Sequence, residues 1–346
     1  MFYTGTINNM KLGSIDTNKN VLIVAEIGNN HEGNFSVARD LVIKAAEAGV
    51  DAVKFQTFET DLYISRASTE RYKLLERFQL SIDEFQQLAD LARTLGLLFI
   101  STPLDMQSAH KLLPIVDAYK IASGDIDYFD LITFVVGTDK PIIMSSGAST
   151  LPEIERAIAL VRKKYLNPES MMEKFSLLHC VSCYPASEED VNLSIIPMLA
   201  KNLDVVVGYS DHTLGIEAAV QSVAMGARIV EKHFTLDKNF SEFRDHQLSA
   251  DPTELSRLVE RIRLTEKLMG NAEKRVLSCE QSIRPQIRRT AVAAHRLEVG
   301  HILTEKDVLW ARAGLGLGTE HKALLMGRSV IKSIDQGYPI EEQDLG

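Results

Sequence analysis

The chain has 346 residues, 45% of them apolar and 25% charged, with a net charge of −9. That length accommodates one large domain and a small one. The acidic balance argues against a general nucleic-acid binder, whose surface needs excess lysine and arginine, but leaves room for a small anion held by a few local cations. Residues 1–20 are polar and lack the apolar centre of a signal peptide, and no run approaches the ~20 apolar residues that span a bilayer. The cysteines Cys180, Cys183 and Cys279 form a sparse, odd set that suits a reducing cytoplasm. Cys180 and Cys183 make a C-x-x-C. It ends an apolar strand-like run instead of opening a helix, so both read as packed thiols.

Apolar, β-branched runs recur along the chain. They lie at 21–28 (VLIVAEIG), 52–58 (AVKFQTF), 97–103 (LLFISTP), 118–123 (AYKIAS), 141–147 (PIIMSSG), 175–180 (FSLLHC), 205–211 (VVVGYSD) and 227–235. Helical periodicity fills most gaps, as at 35–48 and 150–164. At 81–95, Ser81 and Glu84 make a capping box. Gly49 and Gly96 stand where glycine stops a helix. Eight strands alternating with helices over about 250 residues match a (β/α)₈ barrel, α/β in class. A doubly wound sheet competes, but no G-x-G-x-x-G follows the first strand. The polar insert at 59–80 reads as a lid or rim loop. The barrel domain is expected over 1–275, a charged linker over 276–288 and a small domain with short strands and glycine turns over 289–346. So short a unit is marginally stable by itself.

In barrel enzymes the site forms where the strands end, and here polar residues recur at those ends. Strand one ends in Glu26 and then GNNHEG. Strand two carries Lys54 and Gln56 on one face. Strand three ends in Ser101 and Thr102, strand four in Lys120 and Ser123, strand five in Ser145, Ser146 and Gly147. Strand six runs into Ser182 and Tyr184, strand seven into GYSDHT and strand eight into EKHFT. Two lysines and several hydroxyls suit a carboxylate- or phosphate-bearing anion. His212 and His233 end neighbouring strands, with Asp211 and Glu231 close by, a donor pattern that suits a divalent metal. Alternation along strand eight puts Ile229, Glu231 and His233 on one face and turns Lys232 to the other, toward the helical layer or solvent.

Beyond these residues, the ordered motifs AEIGNNHEGN, VKFQTF, ISTPLD, KIASGD, MSSGAS, LLHCVSCYPA, GYSDHT, EKHFT and RDHQLS resemble the sialic acid synthases. The tail ARAGLGLG…LLMGRSV resembles their antifreeze-like (SAF, β-clip type) domain. The likeness runs from about residue 20 to the end. It implies an enzyme, a transferase that condenses phosphoenolpyruvate with an N-acetylated hexose, on a (β/α)₈ barrel with a small C-terminal domain. It also implies a domain-swapped homodimer and a Mn²⁺ or Mg²⁺ ion held by His212 and His233. Phosphoenolpyruvate ligands would be Lys54, Thr102, Lys120, Ser123, Ser145 and Ser210. Sugar contacts would be Gln56, Tyr184, Glu231, Asp245 and, from the partner, Arg312, with Glu26 the catalytic carboxylate.

The sequence departs from the family pattern at three places. Asp125 stands where a sugar-binding Glu is common, Ser182 where Asn is usual, and Arg244 where a Pro precedes Asp245. These leave the acceptor open between N-acetylmannosamine and the 2,4-diacetamido sugar that leads to legionaminic acid. A pyruvate aldolase is the rival enzyme, and a non-catalytic sugar- or ice-binding protein the rival of another class.

Overall fold

A computed structural model describes residues 10–346 apart from Ser14 and Leu166. The polar start therefore lies, up to residue 9, outside the described residues. The chain divides into two units, Met1–Gly270 and Asn271–Gly346. Among the described residues no helix is long and apolar enough to cross a membrane.

The first unit opens with a hairpin of β1 (Lys11–Leu12) and β2 (Ile15–Asp16). Eight strands then close a parallel barrel: β3 (Leu22–Gly28), β4 (Ala52–Thr57), β5 (Leu98–Pro103), β6 (Ala118–Ile121), β7 (Ile142–Ser145), β8 (Phe175–Cys180), β9 (Val206–Asp211) and β10 (Ile229–His233). Each pairs with the next in sequence and β10 pairs with β3. The doubly wound alternative is thereby excluded.

Alternation then sorts every strand. Leu22, Val24, Ala52, Ile100, Ala118, Ile143, Leu178, Val206 and Ile229 form an apolar cluster inside the barrel. Their neighbours Ile23, Val53, Phe99, Tyr119, Leu177, Val207 and Val230 point out and pack under the helices. Each such burial contributes about 1.5–3 kcal/mol. Met10 and Leu12 of the hairpin join the interior cluster and are fully buried, so the hairpin stops the N-terminal end of the barrel. Two-residue strands are too short to show a period, and the sequence pattern did not reveal them.

Local chemistry sets the helix ends. Asn34 caps Phe35–Ala48 through the Ser36 and Val37 amides, and Gly49 closes that helix in the left-handed conformation. The Ser81–Glu84 capping box opens Ile82–Thr94. The insert differs from the expected loop. It forms helices Thr60–Tyr63 and Thr69–Phe78, because Leu75 and Phe78 lie three apart and bury together against Phe58 and Leu104. Cys180 is buried but Cys183 is exposed, so only the first of the pair is a packed thiol; Cys183 lies three residues beyond the end of β8.

Lys232 points outward as parity requires, but no water meets it. It is fully buried, with its ammonium 2.9 Å from Asp211 Oδ2 and 2.6 Å from the Thr213 carbonyl. The other Asp211 oxygen accepts from the Thr213 amide at 3.0 Å and hydroxyl at 2.8 Å. A buried charge needs such partners. This pair fixes the turn that follows β9.

In the second unit, β11 (Thr290–Ala293) and β12 (Val308–Ala311) pair antiparallel over a core that includes Ala291, Leu297, Leu303, Leu325, Val330 and Ile340. Residues 276–288 hold only the turn Ser278–Glu280 and the short helix Arg284–Ile287.

Candidate active site

The same alternation that fills the barrel floor with apolar side chains brings polar ones to its mouth. One step above Leu22 and Val24 comes Glu26; above Ala52, Lys54; above Ala118, Lys120; above Ile143, Ser145; above Ile229, Glu231 and His233. They line a cavity of about 430 Å³, within the range of small-molecule sites.

Four charges make its floor. Lys54 Nζ lies 2.9 Å from Glu26 Oε2 and 3.6 Å from Glu231 Oε2, and Lys120 Nζ lies 3.5 Å from Glu231 Oε1. All four side chains are at least nine-tenths buried. Ser210 donates to Glu231 at 2.9 Å and Gln56 to Glu26 at 3.1 Å. Asn29 in turn holds Gln56 at 2.9 Å. Thr102 accepts from Lys54 at 3.4 Å.

The two carboxyls are pushed apart. Burial raises Glu26 above the usual carboxylate range, against Lys54 and with added repulsion from Glu231. Burial opposes ionisation of Glu231 too, but the Lys120 and Lys54 ammoniums and the Ser210 hydroxyl outweigh it and hold that carboxyl at about 2. Burial lowers Lys54, but the Glu231 and Glu26 carboxylates outweigh it and keep the ammonium above its ordinary value. Lys120 is pushed down by burial, against the pull of Glu231. Glu231 is thus a fixed charge, and Glu26 is the carboxyl able to change state.

Hydroxyls gather beside the lysines. Ser145 Oγ is buried with no partner, and the Gly147 amide donates to Ser123 Oγ at 2.9 Å. A Cβ at Gly147 would fall 2.2 Å from Ser182 Oγ and 2.7 Å from Cys180 Sγ, so only glycine lets the hydroxyls of Ser123 and Ser182 close round this corner.

The imidazoles stand at the ends of the neighbouring strands β9 and β10. His212 and His233 have ring centroids 5.5 Å apart. His212 Nδ1 lies 2.7 Å from the Val181 carbonyl, which fixes its proton there and leaves Nε2 with a lone pair. His233 Nδ1 is buried and unpartnered. Burial pushes both down, His233 to about 3. Neutral rings with free lone pairs are the form that binds metal. Among the described residues no third His, Cys, Asp or Glu completes a cluster, so the pair fits an ion that takes its remaining ligands from water or substrate. The Tyr184 ring lies tilted at 33° against His212, centroids 4.2 Å apart, and the Arg244 guanidinium lies 4.9 Å over the Tyr184 ring.

A match to the NeuB family model covers residues 41–274. An uncharacterised protein of Methanocaldococcus jannaschii is 40% identical over 93% of this chain and 94% of its own length. The N,N'-diacetyllegionaminic acid synthase of Legionella pneumophila is 36% identical, with 91% and 92% covered. The chain belongs to the NeuB family. Among solved structures, the N-acetylneuraminic acid synthetase of Leptospira borgpetersenii superposes with a TM-score of 0.73 at 34% identity, over 79% of this chain and 94% of that one.

On this NeuB barrel, the expected residues fall into three groups. Glu26, Lys54, Lys120, Ser123, Ser145, Ser182, Tyr184, Ser210, His212, Glu231 and His233 line the cavity. Gln56 and Thr102 sit behind it, bonded to Glu26 and Lys54. Asp245 is nearly buried, 3.2 Å from Arg244 Nε, and its charge bears on both His233 and Tyr184. Asp125 does not line the cavity; its neighbours Gly124, Ile126 and Asp127 do. Burial, with Asp127 adding repulsion, raises Asp125 to about 6. Arg312 is exposed on the second unit, directly after β12.

The NeuB cavity also has walls that sequence reasoning missed. Cys180 lines it, 3.1 Å from Ser123 Oγ, as do Asp127, Ser149 and Glu153. Parity already placed Cys180 inward with Leu178. Glu153 carried a different signal, as the capping partner of Thr150 at the start of Leu151–Lys164.

Proposed function

We propose that this chain is a nonulosonic acid synthase that condenses phosphoenolpyruvate with an N-acetylated hexose, giving a nine-carbon 2-keto acid and phosphate. The observation that carries the reading is the pair of buried ammoniums beside the unpartnered Ser145 hydroxyl, in one cavity with two neutral imidazoles. That is a seat for a small polyanion beside a seat for a cation and a neutral carbonyl compound.

His212 and His233 would hold a divalent metal, Mn²⁺ or Mg²⁺, which supplies Lewis-acid polarisation of the acceptor aldehyde. Lys54 and Lys120 neutralise the carboxylate and phosphate of the donor, with Ser123, Ser145 and the Gly147 corner receiving its oxygens. Carbon 3 of the donor attacks the aldehyde carbon, and positive charge develops at carbon 2. Ionised Glu26, on the floor beside Lys54, stabilises that charge and takes a proton from the water that adds there. That proton ends on the former aldehyde oxygen, and the tetrahedral product breaks its bond to phosphate, which leaves with the carbon-2 hydroxyl proton as the keto group forms. Glu231, held ionised, keeps both ammoniums oriented.

The test is phosphate release with phosphoenolpyruvate and a panel of acetamido sugars, including N-acetylmannosamine and 2,4-diacetamido-trideoxyhexoses, with product masses read. Pyruvate belongs in the panel, because burial lowers Lys120 toward the amine form that a Schiff-base aldolase uses. Product formed from pyruvate, or no phosphate from any pair, overturns the reading. Two variants sharpen it. His233→Ala is expected to lose the activity restored by Mn²⁺ to metal-stripped protein while keeping its circular dichroism and melting temperature. Gly147→Ala is expected to raise KM for phosphoenolpyruvate about tenfold, a loss of ~1.4 kcal/mol, with KM for the sugar little changed in steady-state assays.

A further inference from the structure

Glu32 is an unexpected residue for its backbone. It sits in the turn after β3 with φ 49°, the left-handed region, where glycine or asparagine is favoured and other side chains cost about 1 kcal/mol or more. The next residue, Gly33, has φ 78°, and a Cβ there would fall 1.9 Å from the Arg77 carbonyl, so the turn cannot shift to relieve Glu32. Such strain persists only where surrounding contacts hold it.

The contacts are to a segment more than 200 residues away. Glu32 Oε1 accepts from the Ser241 hydroxyl and lies 3.2 Å from His246 Nε2. The His246 side chain is fully buried, and its Nδ1 is 2.6 Å from Thr235 Oγ1. The Thr235 hydroxyl in turn donates to the Asp237 carbonyl at 3.0 Å, so the buried His246 ring joins Glu32 to the start of the same segment. A second staple lies alongside, where Asn30 Nδ2 donates to the Phe234 carbonyl at 2.8 Å and to Ser249 Oγ at 3.0 Å. The span between the staples carries Arg244 and Asp245. Asp245 lies at the Tyr184 and His233 end of the cavity, away from the lysines. A carboxylate there repels a polyanion and suits a neutral hydroxyl- and amide-bearing substrate.

We propose that Glu32 is a positioning residue for the acceptor: it clamps the segment 237–249 so that Asp245 and the Arg244–Tyr184 stack edge the acceptor's side of the cavity. This rests on the two-substrate reading above.

Two variants and two readouts test it. Glu32→Gln keeps the size and removes the charge. Glu32→Gly removes the clamp and relieves the backbone. Both are expected to raise KM for the acetamido sugar about tenfold while KM for phosphoenolpyruvate stays within about twofold. Glu32→Gly is expected to do so with its melting temperature unchanged or higher, because glycine is at ease at φ 49°. Equal rises in both KM values, or an unchanged sugar KM, overturn the proposal. Hydrogen exchange on the ligand-free protein gives the second readout. Amides in 237–249 are expected to exchange at least tenfold faster in Glu32→Gly than in the wild type, with the barrel strands unaffected. Unchanged exchange there overturns the clamp whether or not the wild type turns over this substrate pair, whereas faster exchange in a chain that turns over neither substrate faults only the reading of the reaction.

Discussion

Glu26→Gln is expected to lower kcat about 100- to 10,000-fold, the usual worth of a positioned proton-transfer group, with the fold intact. Gln occupies the same volume, and Lys54 keeps Glu231 as its counter-charge 3.6 Å away. The pH dependence carries the sharper signature. In the proposed reaction Glu26 works ionised, and its pKa is raised by burial. Activity is therefore full above the raised pKa and falls as pH drops through it, so the acid limb lies above the ordinary carboxylate range. Glu231, held at about 2, contributes no limb near neutrality. In Glu26→Gln the residual rate should be flat where the wild-type rate falls. An unchanged acid limb in that variant would show that another group sets it.

Lys232→Met is expected to give the largest loss of stability, about 3–5 kcal/mol, because it leaves Asp211 ionised and buried without its counter-charge. Chemical denaturation with unchanged slope measures it. Adding Asp211→Asn should recover part of the loss, since the remaining Thr213 bonds to that side chain are to neutral groups. Activity should fall as well. The Asp211 carboxylate holds the Thr213 amide and hydroxyl directly beside His212, and a slack turn misplaces the imidazole. Full activity in a destabilised Lys232→Met would separate the pair from the site.

The barrel was legible because period-two apolar runs repeat eight times with helical patterns between them, and one closed topology uses eight such units. Parallel closure then brings the C-terminal ends of all eight strands to one mouth, and parity turns alternate residues inward. That is why Glu26, Lys54, Lys120, Glu231 and His233 could be placed together from strand ends alone. Lys232 shows the limit. Parity turned it outward correctly, but its partner Asp211 lies on the adjacent strand, and only tertiary pairing replaced solvent with a carboxylate. Glu32, His246 and Ser241 were illegible for the same reason. Glu32 lies more than 200 positions from both Ser241 and His246, and no local period links them. The insert helices were hidden by polar composition, since their apolar face is only two side chains wide.

The hairpin under the barrel decides how molecules move through it. Among the described residues, Met10 and Leu12 plug the N-terminal end of the barrel, which leaves the mouth at the strand ends as the way in. In the reaction proposed above, both substrates would enter and both products would leave by that one mouth.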